Sequence, residues 1–125
     1  MAEGFLKYFD KTLEVYSAGT KPAMIIHPKA ILVMKEKNID LSRNKPKSVD
    51  IFLKNEFDYV ITVCDNAHET CPIFLGKVNY RLHIGFEDPA KANGTEEEII
   101  SIFRKVRDEI RKEFLEFYTK YNKER

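Results

Sequence analysis

The chain has 125 residues, enough for one domain, 1–125, built on one core. Its 43% apolar and 33% charged residues argue against disorder, and a net charge of +1 gives no electrostatic case for nucleic acid or an anionic membrane. No apolar stretch approaches the ~20 residues of a membrane span, the start carries no signal-peptide pattern, and two cysteines in such a chain point to a reducing cytoplasm, where thiols react rather than staple.

Residues 1–8 read as a helix with Phe5, Leu6 and Phe9 on its apolar stripe. Leu13-Glu14-Val15-Tyr16 alternates and breaks at Ser17-Ala18-Gly19-Thr20, which predicts a strand running into a loop. Pro28 suits the first turn of a second helix, with Ala30, Ile31, Val33 and Met34 as its packed face. Residues 38–47 read as loop and 49–54 as a short helix or turn. Tyr59 to Val63 is apolar except for Thr62, as expected of a strand covered on both faces. Arg81 to Ile84 is a third, short strand, followed by a loop through Pro89. From Thr95 onward, Ile99, Phe103, Val106, Ile110, Phe114 and Phe117 recur at three- and four-residue steps. Thr95 with Glu98 forms a capping-box pattern, and Glu96–Glu98 and Lys120, Lys123 and Arg125 suit the two ends of the helix dipole. Strands alternating with helices predict an α/β domain with a parallel sheet.

Cys64 ends the apolar strand, where open α/β sheets place their ligands, and Cys71 follows a short polar segment. If that segment is helical, the two Cα atoms stand about 10 Å apart along its axis. A disulfide needs roughly 4.4–6.8 Å, so the pair is a redox couple only if the segment unwinds on oxidation. The alternative is one buried cysteine and one inert loop cysteine. Asp88 precedes Pro89 at the same sheet edge; it is a turn initiator, the simpler reading, or a proton-transferring carboxyl. His83 alternates with Leu82 and Ile84 as a core or edge histidine, and His68 lies between the cysteines, where it is solvated or lowers a thiol pKa. His27, His68, His83 and the cysteines lack a zinc spacing.

Together these segments resemble the thioredoxin-coupled arsenate reductases of the low-molecular-weight protein tyrosine phosphatase superfamily. The resemblance runs through Met1-Ala2-Glu3-Gly4-Phe5, Tyr16-Ser17-Ala18-Gly19-Thr20, His27-Pro28-Lys29-Ala30, Ile39-Asp40-Leu41-Ser42, Val63-Cys64-Asp65-Asn66 with Cys71-Pro72, Gly85-Phe86-Glu87-Asp88-Pro89-Ala90 and residues 103–110. It implies a three-layer α/β sandwich with a parallel sheet. It also implies a relay in which a cysteine of a Cys-x5-Arg loop attacks arsenate, Asp88 supplies a proton, and Cys64 attacks the adduct. Cys71 then closes a Cys64–Cys71 disulfide for thioredoxin, with no other cofactor. The superfamily's phosphatases usually lack the dithiol and often carry an aromatic residue after Asp-Pro, where this chain has Ala90. A phosphatase acting on phosphotyrosine is the alternative, and a non-catalytic remnant the third reading.

Two departures from the resemblance carry expectations. No Cys-x5-Arg occurs in this sequence. In the family that loop and a central strand, about 15–20 residues, precede the Met-Ala-Glu-Gly segment. A strand of ~5 apolar side chains contributes on the order of 8–15 kcal/mol, comparable to the ~5–15 kcal/mol of a whole domain. The expectation is therefore an N-terminally truncated chain, unstable and inactive alone, lacking the first central strand and its phosphate-binding loop. Secondly, some family members hold potassium near that loop. Glu3 and Ser17 match two ligand positions, but Lys47 stands where an acidic residue would, so no potassium dependence is expected.

Overall fold

The computed structural model describes residues 1–19, 24–65 and 73–124. Helix α1 spans Ala2–Phe9 and α2 Pro28–Lys35; strands β1 (Glu56–Thr62) and β2 (Lys77–His83) follow, and α3 (Glu96–Glu124) ends the described chain. Single 3₁₀ turns lie at Val49–Phe52 and Pro89–Lys91. β1 and β2 pair in parallel, with Tyr59 opposite Tyr80 and Thr62 opposite His83. The α/β layering with a parallel sheet is the one the sequence predicts.

Helix α3 forms as its pattern requires. The Glu98 amide donates to Thr95 Oγ1 at 3.2 Å, and the Thr95 amide donates back to Glu98 Oε1 at 3.4 Å, closing the capping box. Phe103, Val106, Ile110 and Phe114 are buried, while Ile99 and Phe117 pack at the margin. They meet Phe5 and Leu6 of α1, Val33 and Met34 of α2, and Phe86 from the loop after β2. The far end of α3 lies on the sheet through rings: Phe117 and Tyr121 meet Tyr59 edge-on at 5.2 and 5.5 Å, and Tyr59 stacks on Tyr80 at 5.1 Å.

Helix α2 starts at Pro28, with the His27 ring accepting the Lys29 amide at 3.1 Å. Just beyond its last turn Asn38 takes φ 63°, a left-handed conformation that asparagine tolerates, and the chain reverses so that the Ile39 amide reaches the Met34 carbonyl. This return presses Ile39 and Leu41 onto α1. A Cβ on Gly4 would stand 3.1 Å from side-chain atoms of both, so the helix can approach this closely because position 4 has no side chain.

Three expectations need correction. The strand expected at Tyr59–Val63 with both faces covered runs Glu56–Thr62, and none of its residues is fully buried. Leu13–Tyr16 is not a strand. A strand is defined by its ladder, and in this part of the described chain the pairing is one isolated parallel bridge, Gly19 to Ser48; alternation alone cannot supply a hydrogen-bonding partner. Val15 still packs against the core and Tyr16 against the rings of Phe52 and Phe57. The strand expected at Arg81–Ile84 runs from Lys77 to His83, because Glu56 and Phe57 pair with Lys77 and Val78 at its start.

Candidate active site

Pairing between the two strands continues past their ends. The Ile84 amide donates to the Thr62 carbonyl at 2.9 Å and the Phe86 amide to the Val63 carbonyl at 3.1 Å. The turn holding Cys64 and the loop 84–88 therefore leave the sheet side by side, at its carboxyl edge. Phe86 anchors that loop by burying its ring against Phe114, at 6.2 Å. Cys64 is half-buried. Asp88 is exposed, and its Oδ1 accepts the Ala90 amide at 3.0 Å, capping the turn Pro89–Lys91. The turn-initiator reading of Asp88 is thus seen directly. The structure brings Cys64 and the Asp88 loop to one sheet edge, whereas Cys71 and His68 lie outside the described residues.

His83 closes β2 at this edge and is exposed, so it is an edge and not a core histidine. Thr62, the polar exception in the run Tyr59–Val63, lies opposite it; Thr62 Oγ1 and His83 Nδ1 are 2.7 Å apart. A shallow depression here is lined by Asp65, His83, Gly85, Phe86, Glu87, Lys105 and Glu109. Lys105 is engaged by Glu87 at 3.2 Å and Glu109 at 4.0 Å.

A second polar cluster surrounds Glu3 in the first turn of α1. Its carboxylate accepts Ser17 Oγ at 2.7 Å, Lys7 Nζ at 3.1 Å and Asn44 Nδ2 at 3.4 Å. Burial opposes its ionisation, but the hydrogen bonds from Ser17 and Lys7 and the charges of Lys7 and Lys47 outweigh it and hold the carboxyl below its ordinary range. With two ammonium groups already acting on this one carboxylate, the residues present do not fit a potassium ion.

Sequence reasoning missed Arg107. It lies on the apolar side of α3, 5% exposed, and reaches the end of α2: Nη1 donates to the Val33 carbonyl at 2.9 Å and to Glu36 Oε1 at 2.7 Å. Arg104 holds the same carboxylate from the surface, at 3.1 and 2.7 Å.

A parallel sheet with a cysteine turn and an Asp-Pro loop at one carboxyl edge, backed by a long C-terminal helix, is the class this geometry defines. The low molecular weight phosphotyrosine protein phosphatase family model matches residues 1–125, and the chain belongs to that family. It is 46% identical over 111 residues to the arsenate reductase of Shouchella clausii, covering 88% of this chain and 78% of that protein. It is 43% identical over 118 residues to the arsenate reductase of Bacillus subtilis, covering 94% and 84%. A solved arsenate reductase in its reduced state superposes with a TM-score of 0.75 at 26% identity, covering 96% of this chain and 86% of that one.

Proposed function

We propose that this chain serves arsenate reduction, with Cys64 and Cys71 as the later thiols of a relay. The observation that supports this reading best is the placement of Cys64 at the carboxyl end of β1, tied through Val63 to the loop that carries Asp88. The names of the curated relatives point the same way.

A cysteine thiolate attacks arsenate, and Asp88 gives its proton to the departing oxygen, which leaves as water. The cysteine of this step has no counterpart in a sequence whose two cysteines are Cys64 and Cys71. The Cys64 thiolate attacks the sulfur of the adduct; an S–S bond forms, the S–As bond breaks, and its electron pair leaves with arsenic as arsenite. Cys71 attacks the Cys64 sulfur and releases the first thiolate. The dithiol of thioredoxin reduces the Cys64–Cys71 disulfide and is itself oxidised. A reducing cytoplasm suits this cycle, which needs no cofactor beyond thioredoxin.

The test uses the chain directly. Oxidised protein is mixed with reduced thioredoxin, and thiols are counted after quenching. Thioredoxin should return two thiols per chain, and Cys64→Ser or Cys71→Ser should abolish that exchange. A disulfide that thioredoxin leaves intact overturns the relay. The second reading, a phosphomonoester hydrolase, is favoured by the family model and opposed by Ala90. It predicts that Cys71→Ser spares phosphate-ester hydrolysis, whereas the relay predicts loss of multiple-turnover arsenate reduction.

A further inference from the structure

The connection from Cys71 to the foot of β2 ends in residues 73–76, which Arg81 fastens to that strand. Cys64 is disulfide-bonded in this structure, and the sequence holds one other cysteine, Cys71. Parallel pairing sends the chain from Cys64, at the carboxyl end of β1, back to Lys77, which stands opposite Glu56 at the other end. Three observations concern the last part of that return. First, the Arg81 guanidinium donates from Nη1 to the Phe74 carbonyl and from Nη2 to the Gly76 carbonyl, the latter at 3.3 Å. A straight strand would set residues 76 and 81 ~16 Å apart, beyond the reach of one side chain. The chain therefore bends at Gly76 and brings Phe74 back toward Arg81. Second, the Phe74 ring is buried, meets Phe57 edge-on at 5.7 Å, and folds over Gly76, where a Cβ would stand 2.5 Å from a ring atom. Third, Ile73 and Leu75 on either side are 75% and 83% exposed. Among the described residues, the Arg81 fork and the Phe74 ring are what fasten this segment.

We propose that Arg81 is a positioning residue for Cys71: by holding the Phe74 and Gly76 carbonyls it shortens the free tether of Cys71 and raises its effective concentration against Cys64. Along the strand direction, Glu56 to Cys64 covers ~26 Å, while the six steps from Lys77 to Cys71 span at most ~20–22 Å. A tether starting at Lys77 closes a disulfide only near full extension, since the two Cα atoms must come within ~6.8 Å. Arg81 lies opposite Val60, ~13 Å along the strand from Cys64. Held at Phe74 by Arg81, Cys71 has a tether of three steps, ~11 Å, and closure costs less chain entropy. A guanidinium suits this task because one rigid, planar fork donates to two carbonyls at once. Closing the pair moves two electrons and two protons from the thiols to an oxidant; when that is glutathione disulfide, two glutathione thiols are released. This rests on the reading of Cys64 and Cys71 as relay thiols.

The experiment equilibrates the full chain in glutathione buffers of increasing oxidised fraction, quenches with acid, and reads the disulfide fraction by alkylation and mass spectrometry. In Arg81→Met the effective concentration should fall about tenfold, an upward shift of ~30 mV in reduction potential, so that a more oxidising buffer is needed. Arg81→Lys keeps the charge but not the fork and should shift the same way. A purely electrostatic role predicts the reverse: a cation favours thiolates, so Arg81→Met would be harder to reduce and Arg81→Lys would match the parent. Either result overturns the proposal. In urea, where the fork is lost, parent and variants should coincide, and a difference that persists there overturns it too. Circular dichroism checks that each variant is folded. Should the Arg81 variants fail to fold, Gly76→Ala decides: its methyl displaces the Phe74 ring, and the midpoint should move as in Arg81→Met. A folded Arg81→Met or Gly76→Ala variant with the parent's midpoint overturns the proposal. The assay needs neither arsenate nor thioredoxin, so a shifted midpoint in a protein whose disulfide thioredoxin leaves intact would keep the Arg81 assignment and sink the relay.

Discussion

Replacing Arg107 with methionine should cost the fold about 2–4 kcal/mol. Val33 lies in the last turn of α2, where carbonyls run out of amide partners. The Lys37 amide, four residues on, turns to Met34 instead, at 2.9 Å. Arg107 fills the vacancy and caps the helix from another element, a cation placed at the negative end of the dipole. Methionine keeps most of the apolar stem but leaves that carbonyl without its donor, at a site where Arg107 is only 5% exposed. An orphaned buried acceptor costs about 1–3 kcal/mol. Glu36 loses one arginine but keeps Arg104, and at 35% exposure that loss adds only about 1 kcal/mol. The bond from Nε to Asp108, a 57% exposed carboxylate, adds little. For a chain of this length the total corresponds to a fall in Tm of about 10 °C. Urea unfolding at pH 7 measures it. Arg104→Met removes a partner of the same carboxylate from a side chain that is 48% exposed, and it should cost clearly less than Arg107→Met. Equal losses in the two variants, or an Arg107→Met variant within ~0.5 kcal/mol of the parent, would refute the capping role.

The Glu36 carboxyl is held down to about 2 from its ordinary 4.5, first by the hydrogen bond from Arg104, against burial, and then by Arg107. A depressed carboxyl contributes fully above its unfolded value and loses that contribution as pH falls toward the folded one. Being partly exposed, it should supply ~1 kcal/mol and not the ~3 kcal/mol of an unscreened shift. Glu36→Gln should therefore be less stable than the parent at pH 7 and match it near pH 2; a constant gap in urea unfolding at the two pH values contradicts this. Thr95→Ala opens the capping box at the start of α3 and should cost ~1 kcal/mol by the same assay; an unchanged midpoint would show that the reciprocal bonds contribute nothing. Because two ammonium groups act on Glu3, exchanging sodium for potassium should move Tm by less than ~1 °C, and a larger potassium-specific rise would reveal a bound ion.

Local pattern made much of this protein legible. The spacing from Phe103 to Phe114 determined which face of α3 is buried, because a helix repeats every 3.6 residues whatever it packs against. Thr95 and Glu98 marked where that helix starts, since both partners of the capping box lie within four residues. The end of the apolar run placed Cys64 at the sheet's carboxyl edge, and Asp88-Pro89 announced its turn. In each case the interacting groups are neighbours in the chain.

What the sequence could not determine depends on partners far along it. Leu13–Tyr16 alternates like a strand yet has no ladder, because the alternation specifies two faces and not the neighbour that completes the hydrogen bonds. Arg107 looks like a surface charge on a long helix until the end of α2 arrives to be capped, 74 positions from Val33. Thr62 and His83 become partners only because parallel register sets them opposite each other. Side-chain periodicity is written locally, whereas pairing, register and the burial of a charge are settled when distant segments meet. The tertiary structure therefore decided which polar groups stand at the sheet edge that carries Cys64.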